Sequence, residues 1–424
     1  MEDFAQPIPF ARPFTGREEE EAVLRVLRSG WLTTGKEALA FEKEFAAFLS
    51  NNDELPNSKN DAPGCLPPLH CLAVNSATSG LHLALEALGI GPGDAVFLPS
   101  YTFTSTAEVV RYLGAEAVFV DIGRDSYNMD PAALEAAVSR LHSAGNGAKN
   151  SFSGLRPRAV IPVHIGGVPC DMEAICAIAG SYGLAVVEDA AHAFPVRAGK
   201  SGGNTAEGPW AGTIGDAGVF SFYATKTITT GEGGMVLTRR EDLAKRISVM
   251  RSHGIDRTVW NRYTDNNASW YYEVIAPGFK YNLPDLLAAI GRVQLGRAME
   301  LLSMRESIAR RYDAAFKNRE AFIIAPPGGA RHLYTLRLRN PGCPLKGNPS
   351  KRDSFIEKLR SRGIGTSVHF IPLHLMPYYR ERYGLKAEDL RESYRRFTET
   401  VSLPIWPGMT SAQVDRVIAA VLSV

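Results

Sequence analysis

An alternation of short apolar runs and helical patterns between Ala73 and Thr238 constrains the fold of this chain more than any other feature. The apolar runs span residues 95–99, 117–120, 159–163, 184–187, 219–222 and 235–237, and helical stretches such as 132–141 and 172–182 lie between them. Strands separated by helices form a mostly parallel sheet with helices on both faces. Such a sheet binds ligands beyond the carboxyl ends of its strands, so we expect functional residues to follow these runs.

A change of pattern near Gly296 indicates a second domain. A charged amphipathic helix over 301–316 leads into an apolar run at 333–338, a helix at 353–362 and a further segment at 366–370. We therefore predict an N-terminal arm and a large α/β domain over 1–296, followed by a small α+β domain over 297–424. Three polar stretches without periodicity, 51–63, 143–153 and 198–212, are expected to be surface loops.

Composition and charge exclude several classes of partner and site. Lys and Arg number 47 against 45 Asp and Glu, a formal charge of +2, so no global field attracts nucleic acid or an anionic membrane. No segment has the ~18 consecutive apolar residues of a membrane span, and the acidic N-terminus is unlike a signal peptide, which favours a cytoplasmic protein. The five cysteines have no CxxC spacing, so we expect neither disulfides nor a metal site.

Small and hydroxyl-bearing residues at 75–80 precede the helix that contains Leu81. A helix N-terminus offers unpaired N–H groups and a positive dipole end, and the hydroxyls of Thr78 and Ser79 add donors, so this segment suits a phosphate group. The alternative is an ordinary helix cap, in which Ser76 or Thr78 bonds the backbone and nothing is bound. The segment matches neither the Walker A nor the GxGxxG pattern, so nucleotide sites of those kinds lose support.

Two carboxylates, Glu188 and Asp189, end the apolar run 184–187, and His192 follows them. A carboxylate at the sheet edge needs a partner, and a protonated heterocyclic nitrogen would be one. The alternative is that both carboxylates cap the next helix and that His192 is a core histidine. The sequence by itself leaves both possibilities open.

One lysine, Lys226, lies between a strand that carries Ser221 and a glycine-rich turn at 231–234. A partly desolvated lysine has a lowered pKa and can bond an aldehyde as a nucleophilic amine, whereas an isolated lysine is more often a surface residue. Together with the two segments above, Lys226 completes the set of groups that holds pyridoxal phosphate. These groups are a phosphate cradle, a carboxylate for the ring nitrogen and an amine for the aldehyde.

The sequence resembles the sugar aminotransferases of the DegT/DnrJ/EryC1/StrS family over nearly the whole chain, from 30–35 and 41–45 to 402–409. The most specific part is 221–226 with 230–234, which is similar to the lysine motif of the family. The resemblance implies the fold of the aspartate aminotransferase superfamily (fold type I), with a mostly parallel, seven-stranded type of sheet. It implies that Lys226 bonds pyridoxal phosphate and shuttles the substrate proton, and that Asp189 pairs with the ring nitrogen. The other implied cofactor contacts are the phosphate ligands Thr78, Ser79 and Ser221, His192 beside the ring, and Phe103 stacked on it.

The resemblance further implies a homodimer with shared active sites. The loop at 278–285 is expected to reach the cofactor phosphate of the neighbouring subunit through Lys280 or Asn282, and the sequence does not decide between them. His253, His369 and His374 match family segments that line the substrate side. Phe103 could instead be a core aromatic residue.

The implied reaction moves an amino group, expected to come from glutamate, onto a keto carbon of a nucleotide-linked sugar, as in polysaccharide or lipopolysaccharide biosynthesis. Segments 75–82 and 278–285 are most similar to members that aminate a UDP-linked 4-keto sugar. One alternative is a sugar dehydratase on the same scaffold, but those members replace the lysine with histidine, so Lys226 argues against it. The other is a catalytically silent regulatory member, against which Lys226, Asp189 and the Thr78-Ser79 pair argue together.

Overall fold

The computed structural model describes residues 6–50, 66–143, 154–256, 271–324, 328–339 and 350–424. The strands are β1 (His70–Val74), β2 (Asp94–Pro99), β3 (Glu116–Val120), β4 (Arg156–Val160), β5 (Ala185–Asp189), β6 (Ala217–Ser221), β7 (Gly234–Thr238), β8 (Phe322–Ile324), β9 (Tyr334–Leu338) and β10 (Thr400–Leu403). The helices are α1 (Arg17–Ser29), α2 (Lys36–Leu49), α3 (Ala77–Ala87), α4 (Ser105–Tyr112), α5 (Pro131–Ser143), α6 (Met172–Tyr182), α7 (Glu241–Met250), α8 (Asp285–Gly296), α9 (Ala298–Phe316), α10 (Lys351–Ser361), α11 (Pro377–Tyr383), α12 (Arg391–Glu399) and α13 (Ser411–Leu422).

Of the three polar stretches, 198–212 lies wholly within the described residues. The stretch 198–212 is a loop closed by isolated bridges, as expected. The expectations for 51–63, and for 143–153 beyond its first residue, lie outside the described residues.

Within the part of the chain that the structure describes, seven strands form the central sheet in the order β1-β7-β6-β5-β4-β2-β3. Six of them are parallel, and β7 runs antiparallel to both of its neighbours, β1 and β6. The prediction of a mostly parallel sheet is therefore confirmed. Strand β4 ends at Val160, earlier than expected, because Pro162 has no N–H to continue the ladder. With these directions, the carboxyl ends of six strands and the amino end of β7 meet at one edge.

Neighbouring residues of the central strands face opposite helical layers. Val219 and Val236 belong to the apolar cluster on the α3 side, whereas Phe220 and Met235 pack with Phe45 of α2 on the other side. Both faces of the sheet are thus covered, and β7 is buried along its whole length. The covered faces leave the carboxyl edge as the place where polar side chains can meet a ligand.

The C-terminal part has a three-stranded antiparallel sheet in the order β10-β9-β8, packed with α9, α10 and α13. Ile8 of the N-terminal arm lies in the same core. Residues 366–370 form no strand of their own, and Ser367 pairs with Ser402 of β10 and Ile364 with Ile8 of the arm through one isolated bridge each. Helix α8 ends at Gly296, and the domain boundary after that residue stays a prediction.

Polar contacts hold the C-terminal part against the carboxyl edge of the large sheet. The carboxylate of Asp121, which follows β3, accepts bonds from the N–H groups of Glu392 (2.9 Å) and Ser393 (2.8 Å) at the start of α12. Ser100, which follows β2, bonds Nδ1 of His374 at 2.7 Å. Side chains of the C-terminal part therefore form one wall over the edge. Among the described residues, no helix is long and apolar enough to cross a membrane.

Candidate active site

The first turn of α3 presents free backbone donors at the sheet edge. The Ser76 hydroxyl caps the helix by accepting a bond from the Ser79 N–H at 3.1 Å, and the Ser79 hydroxyl donates to Asn75 Oδ1 at 2.7 Å. The predicted cap at Ser76 is therefore present. The N–H groups of Ala77 and Thr78 have no partner within the helix, since first-turn amides never do. These amides and the partly exposed Thr78 hydroxyl are better placed for an anion than Ser79, whose proton serves the cap.

A glycine at the start of β7 brings Ser221 close to this helix end. Gly234 is opposite Ser221 in the β6–β7 ladder and opposite Val74 in the β1–β7 ladder. A Cβ built on Gly234 would lie 2.8 Å from the backbone nitrogen of Ala77, so only glycine allows this approach. Ser221, Gly234 and the first turn of α3 thus form one anion cradle, which fits a phosphate group.

Asp189 ends β5 and is buried with few partners. Its carboxylate accepts bonds from Thr106 Oγ1 at 2.9 Å and from the Ala191 N–H at 3.2 Å. Burial raises its pKa, while these bonds and the charge of Lys226 act in the opposite direction. Within the described residues, no basic side-chain nitrogen lies within 4 Å of it. A buried carboxylate with a vacant acceptor position fits a protonated ring nitrogen.

Glu188, the neighbour of Asp189, faces the other side of β5 and has a full set of donors. It accepts bonds from the N–H groups of Gly212 (2.8 Å), Ile214 (2.6 Å) and Gly215 (2.8 Å). The fourth donor is Nε2 of His164 at 3.0 Å, because Nδ1 of that ring accepts the Cys170 N–H and leaves the proton on Nε2. Glu188 therefore holds the 212–215 turn. It is Asp189 that faces the carboxyl edge.

Lys226 lies in a closed turn between β6 and β7. Its N–H donates to the Tyr223 carbonyl at 2.9 Å, and the Thr230 N–H donates to the Phe222 carbonyl at 3.0 Å. The side chain is partly buried rather than on an open surface, and burial lowers its pKa to about 8 against the opposing charge of Asp189. Near neutral pH an appreciable fraction of this amine is therefore neutral and nucleophilic.

Three histidines surround the lysine from different parts of the chain. The rings of His192 and His332 are 4.3 Å apart, and the Gly166 N–H donates to Nδ1 of His192 at 3.3 Å. Burial, together with Lys226 and neighbouring histidines, lowers the pKa of His192 and His332 well below the usual value. Burial and Lys226 lower the pKa of His369 to about 4. All three rings are neutral at physiological pH.

Phe103 lies on the loop that leads from β2 to α4. It is 57% exposed, so the alternative of a core aromatic is wrong. Its ring is 6.1 Å from that of Phe370, which stacks with His192 at an interplanar angle of 18°. Phe103 is thus available at the edge where Thr106, one turn later, bonds Asp189. Its stacking on a cofactor stays a prediction.

The 278–285 loop runs beside the entry of α3. The Asn75 N–H donates to the Tyr281 carbonyl at 2.8 Å, and the Asn282 amide donates to Thr34 Oγ1 at 2.6 Å. The side chain of Lys280 is exposed. The engaged amide of Asn282 makes Lys280 the better candidate for reaching a neighbouring subunit.

The two remaining histidines lie at different depths. His253 is exposed in a loop whose N–H bonds the Phe279 carbonyl, whereas His374 is fully buried behind Ser100. Their predicted place on the substrate side stays a prediction for His253, and the burial of His374 places it behind the site surface.

Three residues that sequence reasoning missed belong to this arrangement: Thr106, His332 and Arg305. Thr106 lies 83 residues before its partner Asp189, and His332 is brought to His192 by the packing of the C-terminal part. Arg305, on α9, donates to the carbonyl oxygen of Lys226. The sequence carries no local signal for such contacts, since threonine, histidine and arginine occur throughout the chain.

Comparison with known proteins agrees with this geometry. The sequence model described as the DegT/DnrJ/EryC1/StrS aminotransferase family matches residues 13–60 and 61–422. The chain is 42% identical over 419 residues to the spore coat polysaccharide biosynthesis protein SpsC of Bacillus subtilis. The aligned region covers 98% of this chain and 96% of SpsC.

Solved structures with similar folds include two proteins described as aminotransferases. The putative sugar aminotransferase Spr1654 from Streptococcus pneumoniae, known in a PLP form and a PMP form, matches with a TM-score of 0.80 and 27% identity over 98% of both chains. Helicobacter pylori PseC, an aminotransferase involved in the biosynthesis of pseudoaminic acid, matches with a TM-score of 0.79 and 25% identity over 99% of both chains. The expected fold of the PLP-dependent aminotransferases is therefore confirmed.

Proposed function

The chain belongs to the DegT/DnrJ/EryC1/StrS aminotransferase family, and from this premise we propose that it transfers an amino group from glutamate to a keto carbon of a nucleotide-linked sugar. One observation carries the proposal: free first-turn amides of α3, a buried carboxylate and a partly desolvated lysine meet at one sheet edge. The cofactor is pyridoxal phosphate, and the residues at this edge offer partners for its phosphate, its ring nitrogen and its aldehyde.

Pyridoxal phosphate supplies, when bound, an aldehyde that condenses with amines and a ring that takes up the electron pair released at the substrate carbon. Thr78, Ser221 and the first-turn amides of α3 would hold its phosphate. Asp189 would hold the ring nitrogen in its protonated form, because a buried carboxylate favours a cation beside it.

Lys226 carries the proton-transfer role in this proposal. With a pKa of about 8, its Nζ is neutral often enough near neutral pH to bond the aldehyde and, once displaced by the donor, to take the proton from the donor Cα. The neutral rings of His192, His332 and His369 can bond substrate hydroxyls without adding positive charge beside this amine.

The sugar substrate and the biological role rest on the relatives. SpsC is named for spore coat polysaccharide biosynthesis, and PseC for the biosynthesis of pseudoaminic acid. We therefore assign this chain a keto sugar nucleotide, with a UDP-linked 4-keto sugar as the first candidate, and a role in cell-surface polysaccharide biosynthesis. A dehydratase would not need the tethering amine, so Lys226 favours transamination.

A homodimer with shared active sites is part of the proposal. The segment just before the 278–285 loop exposes a run of apolar side chains, as a subunit interface would. These side chains are Tyr271, Tyr272, Val274 and Ile275. Lys280, exposed in the loop itself, would contact the cofactor phosphate of the other subunit.

The test of the reaction is a screen of the purified protein, loaded with pyridoxal phosphate, against keto sugars linked to UDP, dTDP, GDP or CMP. We expect glutamate-dependent formation of 2-oxoglutarate and an amino sugar with one nucleotide class, and none with Lys226→Ala. Loss of a sugar hydroxyl without gain of nitrogen would instead identify a dehydratase. No turnover of any keto sugar nucleotide with any amino donor would refute the proposal.

Mixed dimers test the shared site. Neither Lys226→Ala nor Lys280→Ala alone is expected to show full activity, but a mixture of the two has one site with both lysines. Partial recovery of activity on mixing supports the shared site, whereas no recovery contradicts it.

A further inference from the structure

The guanidinium of Arg305 is buried beneath the Lys226 turn. Arg305 lies on α9 and is only 2% exposed. It donates to the carbonyl oxygens of Ile405 at 2.9 Å and Lys226 at 3.3 Å, with longer contacts to three more. These are the carbonyls of Thr225, Arg331 and His332, at 3.4–3.5 Å. One side chain thus donates hydrogen bonds to the backbone of three separate segments.

Arg305 has no acidic partner in the described part of the chain to balance its charge. Among the described residues no carboxylate forms an ion pair with it, and burial lowers its pKa to about 10. Its Nε is buried without a hydrogen-bond partner. Burying a cation in this way is costly, so a net gain in stability is a poor explanation for the arrangement. What the guanidinium does supply is a rigid fork of donors that reaches several carbonyls at once.

The segments that Arg305 joins carry groups on opposite walls of the site. Thr225 and Lys226 belong to the turn of the large domain, whereas His332 belongs to the C-terminal part and is in ring contact with His192. We infer that Arg305 is a positioning residue, which fixes the distance between the Lys226 amine and the His332 ring by bonding the backbone of both. This inference rests on the proposed function, because it gives that distance a role in the proposed transfer.

The positive charge of Arg305 also favours the neutral form of the His332 ring. His332 faces His192, Lys226, His369 and Arg305, and each of these disfavours a positive charge on its ring. Asp189 is the acidic group that faces Lys226. Arg305 therefore helps to keep His332 neutral while it holds the ring in place.

The test compares Arg305→Met and Arg305→Lys with Arg310→Met, a matched control at an exposed position of the same helix. Lysine keeps the charge, but one ammonium cannot bond both walls. In the protein without cofactor, amide hydrogen exchange is measured by mass spectrometry for 223–231, 331–334 and 404–406. We expect faster exchange in these three segments with both Arg305 variants, no change in β1 or β7, and no change with Arg310→Met.

The loaded enzyme provides the second readout. A displacement of about 1 Å at a reacting group costs on the order of 10²-fold, so we expect kcat to fall about 10²-fold in both Arg305 variants while KM for glutamate changes by less than about threefold. A fall in kcat with Arg305→Met but not with Arg305→Lys would overturn the positioning role. So would faster exchange spread over the whole chain, which is the mark of general destabilisation.

The two proposals can fail separately. If the wild-type protein aminates no keto sugar nucleotide, the proposed function fails, while the exchange of the three segments still decides whether Arg305 joins the two walls. If transamination is found and the Arg305 variants match the wild type in both exchange and kcat, only the inference about Arg305 fails.

Discussion

Glu188 and Asp189 are adjacent at the end of β5, yet their surroundings differ in kind. Glu188 accepts four bonds, three of them from backbone N–H groups, on the side that faces the 212–215 turn. Asp189 accepts two, on the side that faces Lys226. A carboxylate whose acceptor positions are all filled stabilises the fold, whereas one that is buried and only partly satisfied is available to a ligand. On this difference we propose a structural role for Glu188 and a role in ligand binding for Asp189.

The largest expected effect tests the role of Asp189. Asp189→Asn replaces the negative charge beside the expected ring nitrogen with a neutral amide of the same size. We expect turnover in the loaded enzyme to fall by about 10²–10³-fold, since charge placed for the reacting state is worth that much. Steady-state kinetics, with cofactor content measured by absorbance, checks this. Wild-type turnover in a fully loaded variant would remove Asp189 from the mechanism.

The structural side is tested by Glu188→Gln. An amide has one acceptor oxygen, so at least one backbone N–H of the 212–215 turn would face an NH₂ group instead of a carboxylate. We expect the free energy of unfolding to fall by about 3 kcal/mol, with turnover per folded molecule kept within a few-fold. Urea unfolding gives the first quantity, and Glu207→Gln, at an exposed position, serves as the control. A loss of turnover without loss of stability would reverse the assignment of the two acids.

A smaller effect is expected at Thr106, which donates to Asp189 at 2.9 Å. Thr106→Val keeps the shape of the side chain but removes a hydrogen bond to a charged group, worth about 1.5 kcal/mol. We expect turnover to fall about tenfold, measured with the same kinetics as for Asp189→Asn. Thr102→Val is expected to lower turnover by a smaller factor, because buried Thr102 bonds Thr106 rather than Asp189. Equal losses in the two variants would show that packing, not the bond to Asp189, matters.

The smallest expected effect is on the stability of the cofactor-free protein. Asp189→Asn is expected to stabilise the fold, whereas Glu188→Gln is expected to destabilise it. Burial raises the pKa of Asp189, so its ionised form opposes folding when no cofactor is present. A carboxyl whose pKa is raised in the folded state favours folding most at low pH and loses that contribution as pH rises through the folded pKa. Asp189→Asn without cofactor is therefore expected to unfold at a higher temperature than the wild type at pH 7, with a gap that narrows towards pH 4. A stabilising effect that is constant over this range would rule out ionisation as its cause.

Much of the architecture could be predicted because it depends on local patterns. Alternating apolar runs and helical periods gave the parallel sheet, and a capping serine gave the start of α3. Lys226 stood out because a glycine-rich turn follows it. The pairing of Ser367 with β10 could not be predicted, because a run of residues cannot show whether a partner lies alongside it.

Only those features of the site that lie within one sequence segment could be predicted. Which of Glu188 and Asp189 faces the ligand depends on donors from elsewhere in the chain, such as Thr106 and the 212–215 turn. The bonds from Arg305 to Lys226 likewise exist only after the C-terminal part has packed on the sheet. Neither contact has a fixed spacing, so neither leaves a motif.

The position of β7 has a consequence for how the chain is made. Among the described strands, β7 is the one neighbour of the edge strand β1, so residues 70–74 have none of these strands to pair with until the ribosome has made residues 234–238. At about 5–20 residues per second, that delay lasts on the order of ten seconds or more. During this time the apolar side chains of Leu72 and Val74 depend on local helices, or on a chaperone, for cover. A nascent chain stalled just before β7 would therefore be far more prone to aggregate than one stalled just after it.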